Sequence, residues 1–249
     1  MCYHFADDDT EEYVLWYCKT YGVKKYTWRG GSYYVNAFDH GMSLVHAQGK
    51  DELQEMEWGL IPFWIKSEKE AKEIQNRTQN AKCETVFNLP SYKHCIKKQK
   101  CLIFGRYFFE WRHVTEKNKI PYLIGVRHND FPDESKPFTF GGIYDRWTDK
   151  ESGEVRETFS IITTPANSMM EIIHNSKKRM PLIIPEEKQH LWLSSTEEDD
   201  IRKLMVPFPS DRMMAYPISK NISQRNTPKN IPETHLAQEY EEVSMNEFL

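Results

Sequence analysis

A single α+β domain, with a largely antiparallel, barrel-like β-sheet core flanked by helices, is what the sequence predicts, on three observations. Runs rich in aromatic and β-branched residues crowd the middle of the chain, helical patterns lie before and after them, and no strict βαβ alternation links the two. The 249 residues, 39% hydrophobic and 13% aromatic, suffice to bury a substantial core.

In chain order, a first helix is expected from Asp9 to Tyr21. Asp9 followed by Glu12 fits a capping box, and Val14, Trp16, Tyr17 and Tyr21 supply an apolar side. Strands are expected at Met56 to Ile61, Cys101 to Phe104, Tyr107 to Trp111, Tyr122 to Val126, Phe138 to Tyr144 and Phe159 to Thr163. Helical patterns return at Asn167 to His174, which follows Pro165, at Pro185 to Leu193, which starts with Pro-Glu-Glu, and at Thr196 to Met205, which starts with Thr-Glu-Glu-Asp. With no internal repeat or long linker, residues 1–225 read as one domain. Residues 226–249, acidic and sparse in apolar anchors, read as an extended strap or a disordered tail.

The bulk numbers narrow the function classes. A net charge of −4 argues against a surface coated in positive charge, so any nucleic-acid contact must come from a local basic groove. Two clusters offer one, Lys93, Lys97, Lys98, Lys100 and Arg106, and then Lys177, Lys178 and Arg179; taken alone, each reads as solvated surface. Five cysteines with no CxxC pair suggest neither a disulfide framework nor a zinc site. An acidic N-terminus without an apolar stretch, and no run long enough to span a bilayer, lead to a cytoplasmic expectation.

Position 2 carries the most chemistry. Removal of Met1 would leave Cys2 with a free α-amine beside its thiol. Their unperturbed pKa values, about 7.7–8.0 and about 8.5, give both groups accessible nucleophilic forms near neutrality. Such a 1,2-aminothiol condenses with an aldehyde to an imine, which the sulfur closes to a five-membered thiazolidine. No internal cysteine can do this, although on position alone a cysteine at residue 2 is unremarkable.

Six further segments follow in order. They are Met56-Glu-Trp58-Gly59-Leu60-Ile61-Pro62-Phe63-Trp64, Asn80-Ala81-Lys82-Cys83-Glu84-Thr85, and Cys101 to Trp111 through Gly105-Arg106 and Phe109-Glu110. Then come Phe140-Gly-Gly-Ile143-Tyr144, Thr163-Thr164-Pro165-Ala166-Asn167, and Ile173-His174 shortly before Arg179-Met180-Pro181. With Cys2 in front, this order resembles the SOS response-associated peptidase (SRAP) family, also described as abasic-site shield proteins, over residues 2–195.

The resemblance implies that Cys2 joins to the ring-opened sugar aldehyde of an abasic site in single-stranded DNA. It implies that Asn80 orients the N-terminal residue, and that Glu110 and His174 move protons during ring opening, imine formation and closure. The chemistry suits those types: carbinolamine dehydration needs an acid with a raised pKa, and a histidine titrates near neutrality. Without the resemblance, Glu110 would read as a solvated strand carboxylate, His174 as a helix-end residue and Asn80 as a turn asparagine. Trp58, Phe63 and Trp64 can stack on bases, though core packing competes for them. Arg179 suits a phosphate.

Three departures affect the DNA grip. Cys2-Tyr3-His4-Phe5 puts His4 where many relatives have arginine, and Lys82 likewise replaces an arginine after Asn-Ala. Four residues, Asn175 to Lys178, separate His174 from Arg179, against the His-x-Arg-Met-Pro of many relatives. The leading expectation is therefore a monomeric protein that captures abasic sites in single-stranded DNA, with no metal, small-molecule cofactor or membrane. The rivals are a thiol (auto)peptidase using Cys2, His174 and Asn80, or a lyase activity at the same site, and a single-strand binding module in which Cys2 plays no part.

Overall fold

The computed structural model describes residues 2–8, 10–27, 30–128 and 135–248. In chain order the first half comprises β1 (His4–Ala6), α1 (Glu11–Tyr21), β2 (Val35–Asn36), β3 (Met42–Ala47), β4 (Leu53–Trp58), α2 (Glu68–Gln75), β5 (Asn80–Lys82), α3 (Cys95–Lys98), β6 (Lys100–Gly105) and β7 (Tyr107–His113). The second comprises β8 (Lys119–Arg127), β9 (Ser135–Lys136), β10 (Phe138–Thr148), β11 (Val155–Pro165), α4 (Ser168–Ile173), β12 (Arg179–Pro181), β13 (Ile183–Ile184), α5 (Gln189–Ser194), α6 (Glu198–Leu204) and β14 (Met213–Pro217).

Five strands close on themselves. β4 pairs with β3, β3 with β6, β6 with β10 and β10 with β11, all antiparallel, and β11 returns to β4 in parallel. This ring removes its own edges, the general advantage of a barrel. A second sheet, ordered β14-β8-β7-β1-β2, is antiparallel throughout. The main core lies between the two sheets: Phe5 and Phe108 from the second meet Trp58, Phe140 and Phe159 of the barrel. The α+β, largely antiparallel and barrel-like architecture expected from the sequence is the one found.

Boundaries differ where pairing overrides local pattern. β4 stops at Trp58, short of the expected Ile61, because Gly59 turns the chain at φ +108, a conformation that favours glycine. A Cβ there would also lie 2.6 Å from the Gln75 carbonyl oxygen. β10 and β11 run past their apolar centres through Arg146 and Glu157, which pair as one long hairpin around the Asp149–Gly153 turn. Helix α2 escapes the apolar pattern because it buries only Ala71 and Gln75; Ser67 caps it, accepting from Glu70 N at 3.3 Å. In α1 the first helical residue is Glu11, and the expected cap Asp9 lies outside the described residues.

Residues beyond 225 lie along the second sheet as an extended strap. Ala237 bridges to Ile218 and Phe248 to Ala215, Val243 is buried, and Glu247 meets Arg112 at 2.5 Å.

Candidate functional site

The antiparallel register of β1 on β7 sets Phe5 opposite Phe108; run back toward the N-terminus, it brings residues 2–4 alongside Glu110 and Trp111. Cys2 is fully buried, its Sγ donating to the His4 carbonyl at 3.6 Å. From the barrel side, β5 runs parallel to β11, and the Asn80 Nδ2 donates to the Cys2 carbonyl at 2.7 Å. Asn80 Oδ1 is buried and accepts no hydrogen bond among the described residues.

Side chains alternate along β7, so Glu110 shares the face of Phe108, which is turned into the main core. Helix α4 packs on β7. Asn167 caps it, accepting from Met170 N at 2.9 Å while donating to the Phe208 carbonyl at 2.7 Å; Met169, Met170 and Ile173 anchor it in the core. The helix ends at His174, whose Nδ1 lies 3.6 Å from Glu110 Oε1 and donates to the Arg179 carbonyl at 2.8 Å. With Nδ1 carrying that proton, Nε2 is the ring's lone-pair nitrogen.

Burial dominates the electrostatics. It pushes the Glu110 carboxyl up from 4.5 to about 8 and the His174 ring down to about 4. The pair is therefore chiefly a neutral acid beside a neutral imidazole at pH 7, and their closeness is not that of an ion pair. Burial also raises the Cys2 thiol far above its usual range, and the nearby Glu110 charge adds to the push.

Glu110 and His174 form the floor of an open cleft of about 650 Å³, walled by Tyr3, His4 and Trp111 and rimmed by Lys117, Lys119, Lys177 and Lys220. The volume falls within the range of small-ligand sites. Tyr3, Trp111 and three of these lysines went unnoticed as site residues in the sequence. For Lys117 and Lys119 the only local signal was their place in a turn between two strand-like runs.

The expected DNA contacts fare differently. Trp58 is wholly buried between Phe5 and Phe159, its Nε1 donating to the Gln79 carbonyl at 2.8 Å, so it offers no face to a base. Phe63 and Trp64 are 55% and 45% exposed, and Lys82 is exposed, but none lines the cleft. Arg179 is committed inside the protein: it pairs with Glu84 and donates to the Thr163 carbonyl at 2.6 Å. His4 lines the cleft, but packs on Tyr34, with Nδ1 2.7 Å from the phenol oxygen. Burial lowers its pKa to about 4, so it stands there as a neutral ring and not as a cationic phosphate donor. The Lys93–Arg106 cluster forms no groove: Lys100 is fully buried, its Nζ donating to Ser195 O and Gln48 Oε1.

Among the described residues no cluster of His, Cys, Asp or Glu could hold a metal ion, and no helix is long and apolar enough to cross a membrane.

Comparison with known proteins matches residues 1–225 to the family model described as SOS response associated peptidase (SRAP). The abasic site processing protein YoqW of Bacillus subtilis is 33% identical over 80% of this chain and 82% of its own length. The abasic site processing protein HMCES of Gallus gallus is 29% identical over 71% of this chain and 56% of its own. A crystal structure of a protein from Bacteroides thetaiotaomicron superposes with a TM-score of 0.82 at 37% identity, covering 95% of this chain and all of that one.

Proposed function

Because the chain belongs to the SRAP family, we propose that it processes abasic sites in single-stranded DNA by linking Cys2 covalently to the lesion. The observation that carries this reading is the meeting of Glu110 and His174, 3.6 Å apart, at the floor of the cleft, with the buried Cys2 brought alongside Glu110 by the β1–β7 register and its carbonyl held by Asn80. The names of the relatives, abasic site processing proteins, supply the substrate.

The reaction first requires hydrolysis of the Met1–Cys2 bond, which turns an amide nitrogen into an amine. In the abasic sugar, the proton of the C1 hydroxyl moves to the ring oxygen, a transfer the neutral His174 ring can relay. The Cys2 amine adds to the aldehyde carbon, and Glu110, protonated at pH 7, donates to the departing hydroxyl, which leaves as water. The thiol then passes its proton to the Glu110 carboxylate, and sulfur closes on the iminium carbon as the thiazolidine. One water is lost, no electron is transferred, and Glu110 ends in its starting form.

A raised thiol pKa favours this amine-first order, since a thiolate is scarce until the iminium attracts it. The same fact weighs against a thiol peptidase, which needs an activated thiolate hydrogen-bonded to its histidine; here the Cys2 thiol donates to a backbone carbonyl and His174 to another. A lyase outcome would follow if the iminium underwent β-elimination before sulfur closed. The protein would act as a cytoplasmic monomer and needs no cofactor for any step.

The test is intact-mass analysis after mixing the Met1-processed protein with a single strand carrying one abasic site. A heat-stable adduct lighter by one water than the sum of the reactants is expected from the native chain and none from Cys2→Ala. Cys2→Ser should give mainly an imine that borohydride traps. The same adduct from Cys2→Ala would overturn the assignment.

A further inference from the structure

The cleft rim carries a positive charge that the covalent chemistry does not use. Lys117 comes from the turn between β7 and β8, Lys119 from the first position of β8, Lys177 from the segment that separates His174 from Arg179, and Lys220 from the short helical turn at 220–223. Among the described residues, Lys117, Lys119 and Lys177 have no carboxylate partner, and all three are exposed. Lys220 is committed differently, donating to Asn118 Oδ1 at 2.8 Å above the Tyr240 ring.

The wall is built rather than incidental. Asn175 clasps the end of β7 with both ends of its amide, Oδ1 accepting from His113 N at 3.1 Å and Nδ2 donating to His113 O at 2.9 Å. Lys178 takes a left-handed conformation at φ +49, and the His174 carbonyl accepts from Lys178 N at 2.8 Å, closing the turn. The extra residues of this segment are thereby fixed against the β7–β8 turn, with Ser176 and Lys177 facing the cleft. In a chain of net charge −4, three unneutralised cations around one concave site are a local field of the sign that gathers phosphates.

We propose that Lys117, Lys119 and Lys177, held by the Asn175 clasp, form a phosphate-binding subsite that grips the sugar-phosphate backbone next to the lesion. They take the place that Arg179 and His4, both turned to internal partners, do not fill. The inference rests on the reading of the cleft as a DNA site. The phosphate could be an internal phosphodiester or the terminal phosphate of a broken strand.

The experiment compares the native protein with Lys117→Gln/Lys119→Gln/Lys177→Gln, after a melting curve shows that both fold. Binding to an undamaged single strand is titrated against salt, and adduct formation is followed as a function of DNA concentration. The variant should lose about 0.7 per lysine, roughly 2 in total, from the slope of log K against log salt. It should also need more DNA to reach half its maximal crosslinking rate, with the maximum itself unchanged. Asn175→Ala should show part of the same loss. A neutral methylphosphonate beside the abasic site should weaken the native protein and not the triple variant if the phosphodiester is held. A 5′- or 3′-phosphate should do the discriminating instead if the terminus is held. An unchanged salt slope, or a fall in the maximal rate alone, overturns the proposal. Undamaged DNA needs no Cys2 chemistry, so an absent adduct in the native protein would sink the proposed function and leave this test readable.

Discussion

Glu110→Gln separates the chemistry of the site from its cost to the fold. The substitution keeps the shape of the side chain and removes its ionisable proton. With the carboxyl raised by burial to about 8, roughly nine-tenths of it is protonated at pH 7 and able to donate. Crosslinking by the native protein should therefore rise as the Cys2 amine loses its proton, then fall about tenfold per pH unit above 8 as Glu110 ionises. The glutamine variant should be slower by a factor within the 10²–10⁴ typical of general acids, and should lack the falling limb. The same displacement has a consequence for stability. A carboxyl raised from 4.5 in the unfolded chain to about 8 in the fold binds its proton more tightly when folded. Its contribution is fully present below pH 4.5 and is lost as pH rises through 8, a change of up to a few kcal/mol at about 1.4 kcal/mol per pH unit. For a chain of this size that corresponds to a fall in Tm on the order of 10 °C between pH 5 and 8. The glutamine variant should not show it. His174, lowered to about 4, acts in the opposite direction between about 4 and 6.5, but is common to both proteins, so the difference between them isolates Glu110. Melting curves at pH 5 and pH 8 measure it. Equal pH dependence of Tm in the two proteins would show that Glu110 is ionised in the fold and would remove it as the general acid.

Phe63→Ala and Trp64→Ala should weaken binding to undamaged single strands by about 1–3 kcal/mol for each base that stacks there, with the crosslinking rate at saturating DNA unchanged; fluorescence titration reads the first and a gel the second, and unchanged affinity would assign these exposed rings another role. Trp58→Ala should instead cost about 3–5 kcal/mol of stability, because it empties the junction between Phe5 and Phe159. Denaturant unfolding checks it, and a loss of DNA affinity without a loss of stability would contradict the buried placement.

What lay in the sequence was the fold class, the approximate place of most strands and the identities of the groups proposed to react. Phe138–Tyr144 and Phe159–Thr163 read as strands because alternation and β-branching are local properties, and a helix over Asn167–His174 is legible because it follows the breaker Pro165. The order of the family segments also pointed to Cys2, Asn80, Glu110 and His174, since motif order survives without coordinates. Other features depended on partners far away in the chain. Nothing beside β14 says that Met213–Pro217 pairs with β8, and the charged face of α2 hides the two residues it buries. Arg179 has the chemistry of a phosphate ligand, but Glu84 and Thr163 claim it only once β11, β12 and the loop after β5 are assembled. Lys117, Lys119 and Lys177 are ordinary surface lysines in the sequence and become one charged rim only when the β7–β8 turn meets the segment after His174. Residue type determined which reactions this protein has the groups to perform. Tertiary packing decided which groups are desolvated, and so that Glu110 holds a proton while His174 does not, because the free energy of a charge depends on everything packed around it and not on its neighbours in the chain.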